Sequence, residues 1–405
     1  MKLLFLTDNF PPEVNAPANR TYEHCREWVR AGVDVTVITG VPNFPTGKVH
    51  KGYKNKLYQT ETVDGIKVIR VWTYITANEG FNKRVLDYIS YGFMAFVAGI
   101  FVKTDLIVAT SPQFFTAVSG SMLSFFKRKK WVMEVRDLWP ESVLAVGAMK
   151  RNAIINFLER VEKRLYKSAD QIIVVTDTFK EKISERGISL DKISIFKNGV
   201  NLEVFKPAPK SALLLAKYHL EGKFVFAYIG THGMAHALGF VLDAINKIKY
   251  SHPHINFLFV GDGAEKKELV KKAEELDLTN ALFIDSVPKS EVVDYLNLMD
   301  VALVNLKRSE VFKTVIPSKI FEAAAVRKPI LMGLQGEAAA IIDEYKAGFS
   351  FFPEDEKAFL DGVKRMALDK ESYEVYQQGC ILLAKDFNRK HIARALLEKL
   401  RTTAE

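Results

Sequence analysis

KLLFLT (2–7), the turn-rich segment DNFPPEVNAP (8–17) and VDVTVIT (33–39) together decide the fold of this chain. The two apolar runs have the length of buried strands, and the residues from about 18 to 31 between them have helical periodicity. Gly32 follows this segment at the position where a glycine favours the end of a helix. Strand, helix and strand in succession form the unit of a parallel sheet. The first part of the chain is therefore predicted to be a Rossmann-like α/β domain.

Strand and helix signals keep alternating up to about residue 200, and a second alternating series then begins. The further predicted strands are 66–71, 105–111, 130–135, 170–176 and 193–198 in the first series, and 223–230, 256–263, 281–287, 300–306 and 328–334 in the second. NGVNLEVFKP (198–207) lies between the two series, and its Asn-Gly pair and proline are typical of a hinge. The pattern predicts an α/β protein with two doubly wound Rossmann-like domains, residues 1–200 and 201–379, facing each other across a cleft that offers a ligand site.

The composition is that of a globular protein in a reducing compartment. The 405 residues are 48% hydrophobic and 26% charged, which is ordinary for a folded domain. The two cysteines, Cys25 and Cys380, lie far apart and lack metal-ligand spacing, so a disulfide scaffold is not expected. The start MKLLFLTDNFPPE (1–13) has too short an apolar core for a signal peptide, and we interpret it as a buried first strand.

The positive charge is confined to one half of the chain. Residues 1–200 contain 29 Lys and Arg against 20 Asp and Glu, which accounts for the whole net charge of +9. This bias indicates either an anionic partner, such as a phosphate-bearing substrate or a membrane, or simply a basic solvated surface. The sequence contains no helix-turn-helix, zinc or RNA-recognition motif, so a nucleic-acid partner is not expected.

Two segments of the second half are candidates for phosphate binding. GDG (261–263) follows a strand and opens a helix, and it is either a ligand loop or a tight turn. In RSEVFKTVIPSKIFEAAAVRKPIL (308–331) a helix is predicted to start around Ser318. Its first amides and Lys319 would hold a diphosphate, and Glu322 would accept hydrogen bonds from ribose hydroxyls. The alternative is plain helix capping. No GxGxxG or GxxxxGK[ST] motif occurs, which argues against a dinucleotide oxidoreductase and a P-loop NTPase.

These motifs in combination resemble a known enzyme family. NGVNLEVFKP, GDG and PSKIFEAAAVRKPIL (317–331) are similar to the family-4 retaining glycosyltransferases. TDNFPPEVNAPANR (7–20), PNFPTGKVHKGY (42–53) and EVRDLWPES (134–142) resemble their WbuB-like branch of N-acetyl-L-fucosaminyl transferases. The resemblance implies the two-domain GT-B fold, an acceptor-binding first domain and a second domain that holds the sugar nucleotide. It also implies that a C-terminal helix, about 380–405, packs back on the first domain.

The resemblance assigns candidate residues to both substrates. Those expected at the donor nucleotide sugar are Gly230, His232, Gly261, Gly263, Val287, Ile316, Pro317, Ser318, Lys319 and Glu322. Those expected in the loop toward the acceptor are Asn15, Ala16 and Arg20.

The chain departs from the wider family in three places. Thr314 stands where the first of two paired glutamates is expected, and Asn15 and Ala16 replace a Gly-Gly loop. The basic pair near the first strand of the second domain is absent from YIGTHGMAHALG (228–239), where His232 and His236 are the polar residues. Lys319 thereby becomes the leading candidate to neutralise the leaving diphosphate.

EVRDLWPES follows a strand of the first domain and supplies the candidate catalytic residues Arg136, Asp137 and Glu141. An acidic group there would position hydroxyls of the donor sugar or assist deprotonation of the acceptor. The alternative is a turn in which Asp137 caps a helix and Trp139 packs. Transfer with retention is commonly explained by same-face displacement, in which the leaving phosphate takes the acceptor proton. No DxD-type pair appears in a suitable loop, so neither a catalytic metal nor a cofactor is expected, and the sugar nucleotide is a substrate.

Two segments of the first half are candidates for membrane contact. VLDYISYGFMAFVAGIFV (85–102) is interpreted as a buried helix, with partial insertion as the alternative. SMLSFFKRKKW (121–131) places phenylalanines beside cations, a combination that suits an anionic bilayer or a basic solvated surface. The expected contact residues are Phe125, Phe126, Lys127, Arg128, Lys129 and Lys130.

The resemblance thus predicts a peripheral enzyme at the cytoplasmic face of the inner membrane. It would move a sugar, by preference N-acetyl-L-fucosamine, from a UDP-sugar to a polyprenyl-diphosphate-linked saccharide during O-antigen assembly. Two alternatives stay open. One is a GT-B enzyme with a soluble acceptor or a sugar epimerase, and the other is a nucleotide-sugar-binding module without catalysis.

Overall fold

Two parallel sheets organise the chain, each in its own structural unit. The computed structural model describes residues 1–44, 46–76, 81–111, 113–145 and 151–405, so Pro45 of the PNFPTGKVHKGY stretch lies outside the described residues. The first unit contains residues 1–198 and 389–405, and the second contains residues 199–388.

The sheet of the first unit has eight strands in the described part of the chain, in the order β3-β4-β2-β1-β5-β6-β7-β8. All neighbouring pairs are parallel except β3 and β4. The strands are β1 Lys2–Leu6, β2 Asp34–Thr39, β3 Tyr58–Val63, β4 Ile66–Val71, β5 Leu106–Thr110, β6 Lys130–Val135, β7 Gln171–Val174 and β8 Ile193–Ile195.

Helices cover both faces of this sheet. They are α1 Ala16–Arg30, α2 Phe81–Ile100, α3 Phe114–Lys127, α4 Glu141–Ala145, α5 Ala153–Ser168 and α6 Asp177–Glu185, joined by the last helix of the chain, α15 Arg389–Ala404. Alternate strand residues point to opposite faces. One face packs against α2, α3, α5 and α6, and the other packs against α1 and α15. Burial on both faces explains why the central strands are continuous apolar runs.

The second unit repeats the plan with six parallel strands in the order β11-β10-β9-β12-β13-β14. The strands are β9 Phe224–Ile229, β10 Ile255–Val260, β11 Ala281–Ile284, β12 Val301–Asn305, β13 Ile330–Gly333 and β14 Gly348–Phe351. The helices are α7 Ala212–Lys217, α8 Leu238–Asn246, α9 Lys266–Glu275, α10 Val292–Leu298, α11 Lys319–Ala325, α12 Glu337–Tyr345, α13 Glu356–Leu368 and α14 Lys370–Asp386.

The C-terminal helix differs from its prediction. Residues 380–386 end α14, and Cys380, Leu383 and Ala384 are buried in the core of the second unit beside α11. The chain leaves that unit after Asn388, and only α15 belongs to the first unit. The sulfur of Cys380 lies 3.3 Å from the carbonyl oxygens of Lys328 and Ala347. Because this apolar face of α14 packs in the second unit, the chain returns to the first unit only at α15, later than predicted.

The apolar segment 85–102 forms most of α2, whose residues Tyr91, Ala95 and Ala98 are buried against the sheet. Among the described residues, none of the helices is both long and apolar enough to cross a membrane.

Candidate functional site

Two loops at the carboxyl ends of β9 and β10 are packed backbone against backbone. The amide of Gly230 donates to the carbonyl of Val260 (2.8 Å), and that of His232 donates to the carbonyl of Asp262 (2.9 Å). A Cβ atom on Gly261 would lie 2.0 Å from the carbonyl oxygen of Gly230, and one on Gly263 would lie 2.4 Å from that of His232. Only glycine fits at both positions. The GDG segment is therefore required for close packing of the two loops, whatever ligand they contact.

The side chain of Lys319 reaches these loops from the start of α11. Its Nζ lies 3.9 Å from the centroid of the Tyr228 ring, an arrangement in which the ring face attracts a cation. A Cβ atom on Gly230 would come within 2.5 Å of the same Nζ. Burial lowers the pKa of Lys319 to about 8, although the nearby Glu322 opposes that shift. The result is a partly desolvated ammonium group beside two glycine-containing loops, which suits an anionic ligand.

Two histidines next to this lysine are held neutral. The side chain of His232 is fully buried, and neither ring nitrogen has a hydrogen-bond partner among the described residues. Burial, with the positive charges of Lys266 and Lys319, lowers the pKa of His232 to about 4. Burial and Lys319 lower the pKa of His236 to about 4 as well. Lys319 is therefore accompanied by neutral imidazoles at physiological pH.

The backbone amides at the start of α11, which were expected to hold a diphosphate, have partners within the helix turn. The amides of Ile320, Phe321 and Glu322 donate to the carbonyls of Pro317 or Ser318, so they are already satisfied within the turn. Ser318 occupies the N-cap position but makes no side-chain capping bond, and α11 has only seven residues. The cationic side chain of Lys319, rather than these amides, is the group of this segment that suits an anion.

Other residues expected around the donor have packing or hydrogen-bond partners within the second unit. Val287 and Ile316 pack against the core of the second unit. The hydroxyl of Thr314, which replaces the expected glutamate, donates to the carbonyl of Val311 (3.0 Å). Thr314 is therefore satisfied within its own 3₁₀ turn.

Sequence reasoning missed two residues of this site, Tyr228 and Lys266. The Tyr228 hydroxyl donates to the carbonyl of Thr231 (2.7 Å), which fixes the ring beneath Lys319. The Nζ of Lys266 donates to the carbonyl of Gly261 (2.8 Å) and pairs with Asp285. The sequence did contain signals for both residues. Tyr228 lies at the end of a predicted strand, and Lys266 follows the first glycine of GDG by five residues.

The residues expected near the acceptor have internal partners in the first unit. Asn15 Oδ1 accepts from the amide of Ala18 (2.8 Å) and caps α1, of which Ala16 is the first residue. Arg20 is fully buried and pairs with Glu134 at 3.2 Å. It also donates to the carbonyls of Phe196 and Lys197. Asn15 and Arg20 thus have partners within the fold, and their contact with the acceptor stays a prediction.

The EVRDLWPES residues lie at the carboxyl end of β6 and differ in environment. Burial lowers the pKa of Arg136 to about 10, although Glu134 opposes the shift. Burial raises the pKa of Asp137, and a hydrogen bond with Ser142 opposes this rise. Glu141 instead pairs with Lys182 (2.5 Å) and Arg186 (2.8 Å) of the α6 region. Both carboxylate oxygens of Glu141 therefore have cationic partners within the first unit, and its catalytic role stays a prediction.

A large apolar patch is exposed on α2 and α3 of the first unit. We call it the α2–α3 face, and it comprises Leu86, Ile89, Phe93, Phe101, Met122, Phe125 and Phe126. Phe125 is 88% exposed and Phe101 81% exposed. Lys127 donates to the carbonyl of Ile100 (2.9 Å) at the helix ends, and Arg128, Lys129 and Lys130 are exposed beside it. The residues predicted to contact a membrane thus lie at one edge of the α2–α3 face. Phe125 and Phe126 belong to the face, and the four basic residues 127–130 border it.

Within the described residues, no group of three or more His, Cys, Asp and Glu side chains is arranged to hold a metal ion.

Comparison with known proteins covers both units. The family model described as "Glycosyl transferase 4-like domain" matches residues 15–199, and "Glycosyl transferases group 1" matches residues 215–379. The chain is 28% identical over 257 residues to WbjE of Pseudomonas aeruginosa, described as a glycosyltransferase, covering 62% of this chain and 64% of that relative. The chain therefore spans just under two thirds of the length of WbjE.

Two further similarities extend over more of the chain. WcaI of Escherichia coli K12, described as a colanic acid biosynthesis glycosyl transferase, is 25% identical over 336 residues, which is 80% of this chain and 81% of that relative. The crystal structure of Anabaena HepE in complex with UDP and glucose superposes with a TM-score of 0.71 at 15% identity, covering 99% of this chain and 100% of HepE. The chain, with its two Rossmann-like units, thus has the GT-B fold.

Proposed function

The chain belongs to the glycosyltransferases, with a glycosyl transferase 4-like domain followed by a group 1 domain, and we propose that it transfers a sugar from a UDP-sugar with retention of configuration. Its acceptor is a polyprenyl-diphosphate-linked saccharide in bacterial surface-polysaccharide assembly. The relationship to WcaI, described as a colanic acid enzyme, supports this acceptor class. N-acetyl-L-fucosamine is the preferred donor sugar, on the resemblance to the WbuB-like branch.

The observation that carries the donor assignment is the Lys319 ammonium beside Tyr228 and Gly230. A partly buried cation in a mostly neutral surrounding favours a diphosphate more strongly than an exposed lysine does. The bound UDP of the HepE structure supports UDP as the carrier. We assign Glu322, one turn after Lys319 on α11, to the ribose hydroxyls of the donor.

The chemistry that we propose is a same-face displacement. The bond between the anomeric carbon and the diphosphate oxygen breaks, and a bond from the acceptor oxygen forms on the same face. The acceptor proton passes to the departing diphosphate oxygen, so no separate base is needed. Lys319 stabilises the negative charge that grows on the diphosphate, which makes the reaction independent of a metal ion.

The donor assignment is tested by calorimetry with UDP, GDP and ADP on the wild type, Lys319→Met and Lys247→Met. Lys247 is an exposed lysine of the second unit that pairs with Glu356, so it is a matched control. UDP should bind best, and Lys319→Met should weaken it by at least about tenfold, since a hydrogen bond to a charged group contributes about 1.5–3 kcal/mol. Equal UDP affinity in all three proteins would refute the site. UDP binding without transfer to any lipid-linked saccharide would favour a binding module instead.

We also propose that the α2–α3 face rests on the anionic cytoplasmic surface of the inner membrane. Seven large apolar side chains are exposed on these two adjacent helices, and neighbouring exposed apolar side chains mark interaction surfaces. The adjacent cations, Arg128, Lys129 and Lys130 among them, complement acidic lipid head groups. A membrane-bound acceptor would thus be presented to the first domain.

Co-sedimentation with vesicles of phosphatidylglycerol and phosphatidylethanolamine tests this orientation. The double variant Phe93→Ser/Phe125→Ser should lose vesicle binding, because two exposed apolar side chains leave the interface. Leu213→Ser is the control, since Leu213 is 78% exposed in the second unit. Full binding by the double variant would contradict the proposed face.

A further inference from the structure

Asn305 is the last residue of β12, and its side chain holds the loop between β9 and α8. Its Nδ2 donates to the carbonyl of His236 (2.9 Å) and lies 3.4 Å from that of Ala237. The amide of Lys307, two residues further on, donates to the carbonyl of Ala235 (2.8 Å). Three successive carbonyl groups of the loop are therefore held from the end of one strand.

The amide of Asn305 is buried at a cost to stability. The side chain is 1% exposed, and its Oδ1 is buried without a hydrogen-bond partner among the described residues. Such an unpartnered acceptor is unfavourable in a protein interior. A Cβ atom on Gly333 would lie 2.0 Å from this Oδ1, so the neighbouring strand leaves room for the amide. An apolar side chain would avoid the cost, and we therefore relate the amide to the loop that its nitrogen holds.

The backbone of this loop is strained where Asn305 holds it. Ala237 has φ +47° and ψ +40°, the left-handed region that disfavours residues with a Cβ atom. The carbonyl that accepts from Asn305 belongs to the peptide group between His236 and Ala237. Strain of this kind persists only where the surroundings fix the backbone, and it is concentrated at ligand sites. The hydrogen bond from Asn305 is one such restraint.

The loop carries His236 next to the groups proposed for the donor diphosphate. The centroid of its ring lies 5.5 Å from that of Tyr228, the ring over which Lys319 lies. Burial and the charge of Lys319 lower the pKa of His236 to about 4, and a hydrogen bond with the backbone of Asn305 opposes this shift. Asn305 thus contacts both the carbonyl and the ring of His236. The position of the loop decides how far this ring shields the ammonium of Lys319 from water.

We propose that Asn305 is a positioning residue of the donor site, which holds the loop after β9 so that His236 shields Lys319 from water. A shielded ammonium attracts a diphosphate more strongly than a hydrated one does. Asn305 acts through His236 and does not itself touch the donor. The inference rests on the proposed function, in which Lys319 binds the diphosphate of a UDP-sugar.

Calorimetry with UDP on Asn305→Ala and Asn305→Val tests this role. Both variants remove the donor to the loop, and valine suits a buried strand end, so Asn305→Val keeps the test open if the alanine variant does not fold. Asn297→Ala is the matched control. Asn297 is 2% exposed, and its Nδ2 donates to the carbonyls of Lys206 (3.1 Å) and Val293 (3.0 Å), outside the proposed donor site. UDP affinity at pH 7 should fall about tenfold in the Asn305 variants and stay at the wild-type level in Asn297→Ala.

The pH profile of UDP binding separates positioning from a loss of stability. Burial lowers the pKa of Lys319 to about 8, against the effect of Glu322, so wild-type affinity should fall between pH 7 and pH 9. Water that reaches the ammonium after the loop moves would raise this pKa again. The remaining affinity of the Asn305 variants should therefore change less between these pH values. Asn297→Ala should keep the wild-type profile even where its unfolding temperature falls.

Hydrogen exchange of residues 231–237, followed by mass spectrometry without a ligand, tests the anchor itself. Exchange should be faster in both Asn305 variants and unchanged in Asn297→Ala. If the wild type binds UDP and the Asn305 variants keep its affinity and pH profile, or keep its exchange rates, the positioning role is overturned and the donor assignment stands. Absence of UDP binding by the wild type would overturn the proposed function, and with it the role given to Asn305.

Discussion

The ammonium Nζ of Lys319 lies over the ring of Tyr228, 3.9 Å from its centroid, and a Cβ atom on Gly230 would lie only 2.5 Å from that Nζ. The lysine is thus positioned by an aromatic face and by the absence of a side chain. A cation held in this way stays available to a diphosphate, whereas a strong ion pair would have to be broken first.

Gly230→Ala should displace Lys319 and lower UDP affinity, because the new Cβ would lie 2.5 Å from Nζ and 2.7 Å from Cε. Gly222→Ala is the control for backbone strain, since Gly222 has φ +68° and nothing within 4 Å of a new Cβ. Both variants should lose about 1–3 kcal/mol of unfolding free energy, because φ is positive at both positions, +146° at Gly230 and +68° at Gly222. Only Gly230→Ala should lose UDP affinity in calorimetry. Equal UDP affinity in the two variants would mean that the position of Lys319 does not matter.

UDP affinity should fall as the pH rises through about 8, the pKa to which burial lowers Lys319. The charged form binds the diphosphate, so deprotonation removes the attraction. Lys319→Arg keeps its charge in this range and should show a flatter profile between pH 7 and pH 9. Calorimetry at both pH values is the measurement. A wild-type profile as flat as that of the arginine variant would count against a role for the Lys319 charge.

Asp87→Asn should become more stable relative to the wild type as the pH rises from 5 to 8. The folded state holds a proton on Asp87 up to a pKa of about 7, whereas the unfolded chain releases it near 3.9. Between these values the folded wild type binds more protons, so its stability falls as the pH rises. Urea unfolding at pH 5 and pH 8 checks the sign, with Asp34→Asn as a surface control. If the stability difference between Asp87→Asn and the wild type is constant with pH, folding does not raise the pKa of Asp87.

Arg20→Met should lower the free energy of unfolding by about 3–5 kcal/mol, because it leaves the buried carboxylate of Glu134 without its partner. The two side chains are 1% and 3% exposed. Arg151→Met removes the exposed pair with Glu159 and should change stability by less than about 1 kcal/mol. Denaturant unfolding compares the two variants. A small effect at Arg20 would show that its pair with Glu134 contributes little to stability.

Much of the fold could be predicted because its strands are buried on both faces and appear as continuous apolar runs. The strand β3 was missed, since its residues alternate between exposed and half-buried, although Asp64-Gly65 before β4 is a hairpin signal. The break between α14 and α15 was also missed. Both helices have apolar faces, and the sequence does not say which unit each face packs against.

The candidate site was only partly predictable for a related reason. Lys319 could be found from its place at a helix start, and the structure adds the ring of Tyr228 as its support. Asn15 and Arg20 were assigned to the acceptor loop from the family resemblance, and Glu141 was assigned to catalysis because EVRDLWPES follows a strand of the first domain. Their actual partners, such as Glu134 and Lys182, come from distant parts of the chain, and local sequence carries no sign of such pairings.

The close packing of the two loops that follow β9 and β10 also limits which positions of this protein can be varied in engineering. Gly261 and Gly263 leave no room for even one additional carbon, so a library that aims to change the donor sugar should keep both fixed. Met234 is 66% exposed in the neighbouring loop and tolerates replacement without a steric penalty. Diversity is therefore better introduced at Met234, in the loop beside the proposed donor site, than at the two glycines, where a side chain would clash with backbone atoms.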